Sequence, residues 1–147
     1  MKPLPPAVIV SACLLGLKTR YNGKDALNPE LLKSLKDKNI IPVCPEQLGG
    51  LPTPRPRCEI TNGGGKDVLE GRAQVMDEHG KDVTANFIKG AEEVLKTARL
   101  TGALEAVLKE NSPSCGVHVI SRGGARTKGV GVTTALLKKA GVKATGV

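Results

Sequence analysis

Three short, mostly apolar runs mark this chain, the first rich in β-branched residues, and each stops at or shortly before a cysteine. Ala7 to Ala12 ends at Cys13, Ile40-Ile41-Pro42-Val43 ends at Cys44, and Ala103 to Leu108 leads into Asn111-Ser112-Pro113-Ser114-Cys115-Gly116. Runs of this kind fit strands buried on both faces of a parallel sheet, which need long crossover connections between them. Helix signals lie where those crossovers belong. Asn28-Pro29-Glu30 supplies a cap and a first-turn proline, with Leu31, Leu32 and Leu35 as an apolar face. Val83 to Arg99 carries a helical stripe of Val83, Phe87, Ile88, Ala91, Val94, Leu95 and Ala98, and Thr133 is placed to cap a last helix through Lys139. The alternation predicts an α/β fold: a single domain over residues 1–147, with a Rossmann-like, mostly parallel sheet and flanking helices. No full Gly-x-Gly-x-x-Gly follows the first strand, which disfavours a dinucleotide site.

The cysteines gain meaning from this topology. In an open parallel sheet the carboxyl ends of the strands share one edge, with neighbours about 4.8 Å apart. Cys13, Cys44 and Cys115 are far apart in sequence and form no close Cys-x-x-Cys pair, which excludes a finger or ribbon, yet all three fall near that edge. Val10-Ser11-Ala12-Cys13 imitates a lipoprotein cleavage box, but Ala7 to Val10 is shorter than the about 7–15 apolar residues an export segment needs. A cytoplasmic, reducing location is expected, with free thiols rather than disulfides. Three soft thiolates there suit zinc or an iron–sulfur cluster. The plainer alternative is ordinary buried cysteine; turn formers, prolines and polar neighbours around each thiol weigh against it.

A net charge of +8 favours anionic molecules such as nucleotides, phosphorylated metabolites or tRNA. Tyr21 and Phe87 are the only aromatic residues, so the stacking platforms of single-strand readers are missing. No run of about 18 apolar residues is present to span a bilayer. The Pro- and Gly-rich stretch Pro45 to Arg57 is expected to be a shaped loop, and Arg122 to Gly131 a glycine-studded basic loop. Asn62-Gly63-Gly64-Gly65-Lys66 lacks the first glycine and the Ser/Thr of a phosphate loop and is read as a flexible turn, as is the segment around His79. Arg55 with Arg57, and Arg126 with Lys128, are candidate anion contacts.

Several motifs in order then carry a resemblance: Val10-Ser11-Ala12-Cys13-Leu14-Leu15-Gly16, Tyr21-Asn22-Gly23, Cys44-Pro45-Glu46-Gln47-Leu48-Gly49-Gly50-Leu51-Pro52-Thr53-Pro54-Arg55-Pro56, Ser112-Pro113-Ser114-Cys115-Gly116 and Gly131-Val132-Thr133. Together they resemble the bacterial family known as domain of unknown function 523, which includes the thiouracil desulfidases. The resemblance runs through nearly the whole chain. It implies a four-iron four-sulfur cluster held by Cys13, Cys44 and Cys115, with the fourth iron open. It also implies catalytic roles for Glu46 and Ser112, and places Ser11, Tyr21, Arg55 and Ser114 around the substrate. Cys58 departs from the family pattern, which usually carries a small residue there; it is read as non-ligating, since a fourth thiolate would close the iron site. His118 lies close to Cys115, but the family does not use it as a ligand.

An open Lewis-acidic iron prefers a soft sulfur donor such as a thiocarbonyl. The expected activity is therefore hydrolytic, non-redox removal of sulfur from a thiolated nucleobase, nucleoside or nucleotide, with tRNA the less favoured substrate. The alternative from another class is a non-catalytic zinc or closed-cluster module presenting a nucleotide- or RNA-binding surface. Oligomeric state is not legible in the sequence.

Overall fold

The computed structural model describes residues 3–147. Its centre is a four-stranded, wholly parallel sheet of β1 (Ala7–Ser11), β2 (Asn39–Val43), β5 (Glu105–Leu108) and β8 (Lys143–Gly146), in the order β2-β1-β5-β8. The expected α/β architecture is thus present, and the three strands read from the sequence are neighbours. Ser11 pairs with Val43, and Val10 with Val107, so the carboxyl ends of β2, β1 and β5 are aligned.

The period of two along β1 divides the core. Ile9 points into a cluster with Val94, Ala98, Ala106, Leu108 and Leu137, whereas Val8 and Val10 join Leu14 and Leu35 on the opposite face. The second face is covered by a 3-10 turn (Ala12–Leu15) and α1 (Pro29–Ser34), which starts where expected: Asn28 Oδ1 accepts the Leu31 N–H at 3.0 Å. The first face is covered by α4 (Thr84–Thr101) and α5 (Val132–Lys139). No helix among the described residues is long and apolar enough to cross a membrane.

Several expectations need correction. Pro45–Leu48 is a helical turn, α2, within what the sequence reads as an irregular loop, because Pro45 at its first position is already set to helical φ. The basic loop from Arg122 is the hairpin β6 (Val119–Arg122) and β7 (Ala125–Lys128), turned by Gly123 and Gly124, both at positive φ. The chain bends at Gly63, which has positive φ, but Gly65–Leu69 continues as α3, with Asp67 Oδ2 accepting the Gly64 N–H at 2.8 Å. Thr133 does not cap α5. Gly131 holds that position, and the Thr133 hydroxyl is buried without a hydrogen-bond partner, because backbone carbonyls of a neighbouring loop take the helix's first N–H groups. The antiparallel pair β3 (Cys58–Ile60) and β4 (Val75–Asp77) and the edge strand β8 were not expected at all.

Two glycines seat α2 against α4. A Cβ on Gly90 would collide with the Pro45 carbonyl, and one on Gly49 with that of Asn86, whose Nδ2 donates to Gly49 O at 2.9 Å. The turn that carries Glu46 is thereby fixed to the longest helix. Gly90→Ala is expected to lower stability by about 1–3 kcal/mol through overpacking, measured as a shift in the urea midpoint. Phe87→Ala, which empties a side chain 1% exposed in a further core cluster with Ile60, Val75, Ala91 and Val132, should cost about 3–5 kcal/mol.

Candidate active site and metal centre

The loops leaving β1, β2 and β5 enclose one cavity of about 110 Å³ whose wall includes Cys13, Cys44 and Cys115. Cys13 sits in the 3-10 turn after β1, Cys44 immediately follows β2, and Cys115 lies in the loop after β5. Cys44 is half-buried, while Cys13 and Cys115 are buried. No disulfide occupies any of the four cysteines. Burial, only partly opposed by the charge of Lys109, raises the Cys13 thiol, and burial pushes Cys115 up to about 12 against its hydrogen bonding with Ser11 and Ser114.

The donor chemistry fits the cluster that the resemblance implies. Three thiols converge from three segments with no histidine among the lining residues. Among the described residues no three His, Cys, Asp or Glu side chains are grouped to hold a single metal ion. A lone zinc draws its sulfurs to about 2.3 Å from one point, whereas an inorganic core of several irons is served by thiolates spread around a wider space.

A chain of polar groups lines the same cavity beside the thiols. Arg55 Nε donates to Glu46 Oε1 at 3.0 Å, and Ser114 Oγ donates to Glu46 Oε2 at 2.9 Å. Ser112 Oγ lies 3.1 Å from Ser114 Oγ and accepts the backbone N–H groups of Cys115 at 3.0 Å and Ser114 at 3.3 Å. Glu46 and Ser112, named separately from the sequence, are therefore joined through Ser114. Ser114 Oγ is also 3.6 Å from the Cys115 sulfur. Arg55 is only 4% exposed. Its remaining N–H groups meet Pro52 O, Thr53 Oγ1, Thr19 O and, at 3.9 Å, Cys44 Sγ, so its donors all face protein acceptors.

Ser11 and Tyr21 complete the expected wall. Ser11 Oγ accepts the Lys109 N–H at 3.0 Å, which ties β1 to the end of β5. Tyr21 lies between Arg20 and Arg57, 5.8 and 5.3 Å from its ring centre, and accepts from Arg57 at its hydroxyl. Arg57 thus belongs to the rim, while Arg126 and Lys128 are exposed on β7. Cys58 does not line the thiol cavity. It is buried at the start of β3, its thiol pushed up to about 12 by burial and by the charges of Glu46 and Asp77. The exposed His118 and His79 are also outside that wall.

Sequence reasoning missed Thr19, Arg20, Lys109 and Asn111, which line the same cavity. Desolvation, aided by Arg20, lowers the Lys109 ammonium from its ordinary value. Asn111 takes φ 59°, the one non-glycine residue at positive φ among those described. The signal was available: Lys109 and Asn111 sit just beyond β5, at the same sheet edge used to argue for the cysteines.

Comparison with known proteins agrees with this geometry. The family profile described as 2-thiouracil desulfurase matches residues 8–146. The uncharacterized protein YbbK of Bacillus subtilis (strain 168) is 44% identical over 139 residues, 92% of each chain. A solved structure described as the [4Fe-4S]-dependent thiouracil desulfidase TudS (DUF523Vcz) superposes with a TM-score of 0.83 at 40% identity, covering 96% of this chain and 90% of that one. With thiols and polar chain gathered at one sheet edge and a family match spanning nearly every residue, this chain belongs to the 2-thiouracil desulfurase family.

Proposed function

We propose that this protein is a thiouracil desulfidase that replaces a ring C=S by C=O, using water and releasing sulfide. The carrying observation is that Cys13, Cys44 and Cys115 share one cavity wall with Glu46, Ser112 and Ser114. A non-catalytic metal module has no need for a carboxylate and two hydroxyls linked beside its thiols. The balance is hydrolytic: one water enters, its oxygen stays on carbon, and sulfur leaves as sulfide with no electrons exchanged. The substrate class is a small thiolated nucleobase, or its nucleoside or nucleotide, in preference to tRNA. In this reading one domain over residues 1–147 works in a reducing cytoplasm, the compartment that suits free thiols and an iron–sulfur cluster.

Cys13, Cys44 and Cys115 would hold the four-iron four-sulfur cluster. When bound, it supplies an open Lewis-acidic iron with affinity for the soft sulfur of a thiocarbonyl. Glu46, oriented by Arg55 on one oxygen and Ser114 on the other, is a preorganised base for the proton of the attacking water. Ser112 accepts two backbone N–H groups, so its own proton remains to be donated, at rest to Ser114 and in reaction to the anion developing on the ring. Arg55 acts through Glu46. Tyr21 offers its ring as the aromatic face at the cavity, and Lys109 opposes the negative charge of the Cys13 thiolate.

Anaerobically purified protein should be brown and should release sulfide from 2- or 4-thiouracil. The absence of Trp and the single Tyr leave little protein absorbance to obscure the cluster. Cys13→Ala, Cys44→Ala and Cys115→Ala should each abolish colour and sulfide release, whereas Cys58→Ala should retain both. Full activity in all three ligand variants, or colourless protein with stoichiometric zinc, rejects the assignment. Glu46→Gln should lower kcat by about 10²–10⁴-fold with cluster absorbance intact, as removal of a general base does. Normal turnover in that variant would assign the base elsewhere.

A further inference from the structure

The segment between β5 and β6 carries Ser112, Ser114 and Cys115, and it is tied down from two sides. On one side α5 holds it: Gly131 N–H donates to Gly116 O at 2.8 Å, Val132 N–H to Pro113 O at 2.9 Å, and Thr134 Oγ1 to Cys115 O at 2.9 Å. On the other side a single carboxylate closes the neck. Glu110 Oε1 accepts the backbone N–H groups of Val117, His118 and Val119 at 2.8, 2.9 and 3.1 Å, while Oε2 pairs with His118 Nδ1 at 2.7 Å. Asn111 N–H donates to Val119 O at 2.9 Å beside it. The chain leaving the loop is thus pinned to the residue where it began.

The sheet makes room for this carboxylate. Gly146 lies opposite Leu108 in β8, and a Cβ there would collide with the Glu110 carboxyl group. Gly146 is not among the glycines at positive φ, so its backbone suits any residue and only the missing side chain is used. Burial alone would raise the Glu110 carboxyl, but the backbone and ring hydrogen bonds of His118, with those of Val119 and Val117, outweigh it and hold the group below its ordinary value. The ionised, acceptor-only form is the one that four donors require.

We propose that Glu110 is a positioning residue whose carboxylate, seated over Gly146, latches the Ser112–Cys115 loop shut and keeps the Cys115 sulfur turned toward Cys13 and Cys44. Its purpose rests on the desulfidase reading; the latch itself does not. Glu110 is not part of the cavity wall, so it acts through the loop. Replacing it by Ala leaves three backbone N–H groups without their acceptor, which favours opening of this loop alone. Glutamine retains an oxygen for those N–H groups and an amide N–H for His118 Nδ1. Gly146→Ala displaces the latch without touching the loop.

The test measures alkylation of Cys115 by iodoacetamide in the metal-free full-length protein, read by peptide mass spectrometry, with amide exchange of α4 as the gauge of global opening. In E110A and G146A, Cys115 labelling should accelerate about tenfold while α4 exchange stays as in the wild type. E110Q should label like the wild type. Unchanged Cys115 labelling in E110A and G146A overturns the latch, and so does a parallel rise in α4 exchange, which marks ordinary destabilisation. After anaerobic reconstitution, E110A and G146A should also lose iron to a chelator faster than the wild type and E110Q. A wild-type protein that takes up no cluster would defeat the desulfidase reading, while the labelling result would still decide the latch.

Discussion

The parallel pairing of β2, β1 and β5 is the constraint on which the site depends. Parallel strands start at the same end of a sheet and finish at the same end, so whatever follows them is delivered to one edge. Here the pairs Ser11 with Val43 and Val10 with Val107 bring three strand ends level. A shift of the β1–β2 pairing by one residue would also turn the faces of β1 relative to its neighbours, removing Ile9 from one core and Val8 and Val10 from the other. Burial of those side chains therefore sets the strand register that places Cys13 and Cys44 in the same wall.

The polar part of the cavity lining depends on close backbone approach rather than on strand pairing. Gly49 and Gly90 let α2 rest directly on α4, and this places Glu46 beside the loop after β5. Gly131 does the same at the start of α5, where a Cβ would strike the backbone at Ser114 and Cys115. Arg55 then anchors the long loop after α2, joining Thr19, Thr53 and Glu46 through one buried guanidinium. A planar group with five donors suits a junction of several acceptors in a way that an ammonium does not. The functional side chains are thus carried by strand ends, short helical turns and loops, and the segments bearing Glu46 and Cys115 are fixed by α4 and α5 beneath them.

Much of the sheet and the thiol set was legible because both rest on local signals. Apolar runs ending in turn formers reveal buried strands, and cysteines beyond two or more such ends share an edge by topology alone. The hairpins were not legible for a matching reason. Val119–Arg122 has only two apolar residues and Ala125–Lys128 is short, polar and mostly exposed, so they lack the hydrophobic period that marks a strand, although Gly123-Gly124 was a turn signal between them. Thr133 misled because its type matches a cap, whereas its helix is capped by the carbonyls of a loop distant in sequence.

By itself the sequence determined the chemistry available: soft thiols, a carboxylate and hydroxyls in turn-rich segments, almost no aromatic surface, and motifs carrying the family resemblance. Residue type and short spacing are sufficient for that, because they depend on neighbours along the chain. Only the tertiary structure decided which groups meet. It made Ser114 the bridge between Glu46 and Ser112, turned Arg55 toward protein acceptors, kept Cys58 out of the thiol cavity and added Lys109 and Asn111 to its wall. Hydrogen bonds of a few ångströms join residues dozens of positions apart, and their distances exist only once the sheet register and the helix contacts have been set.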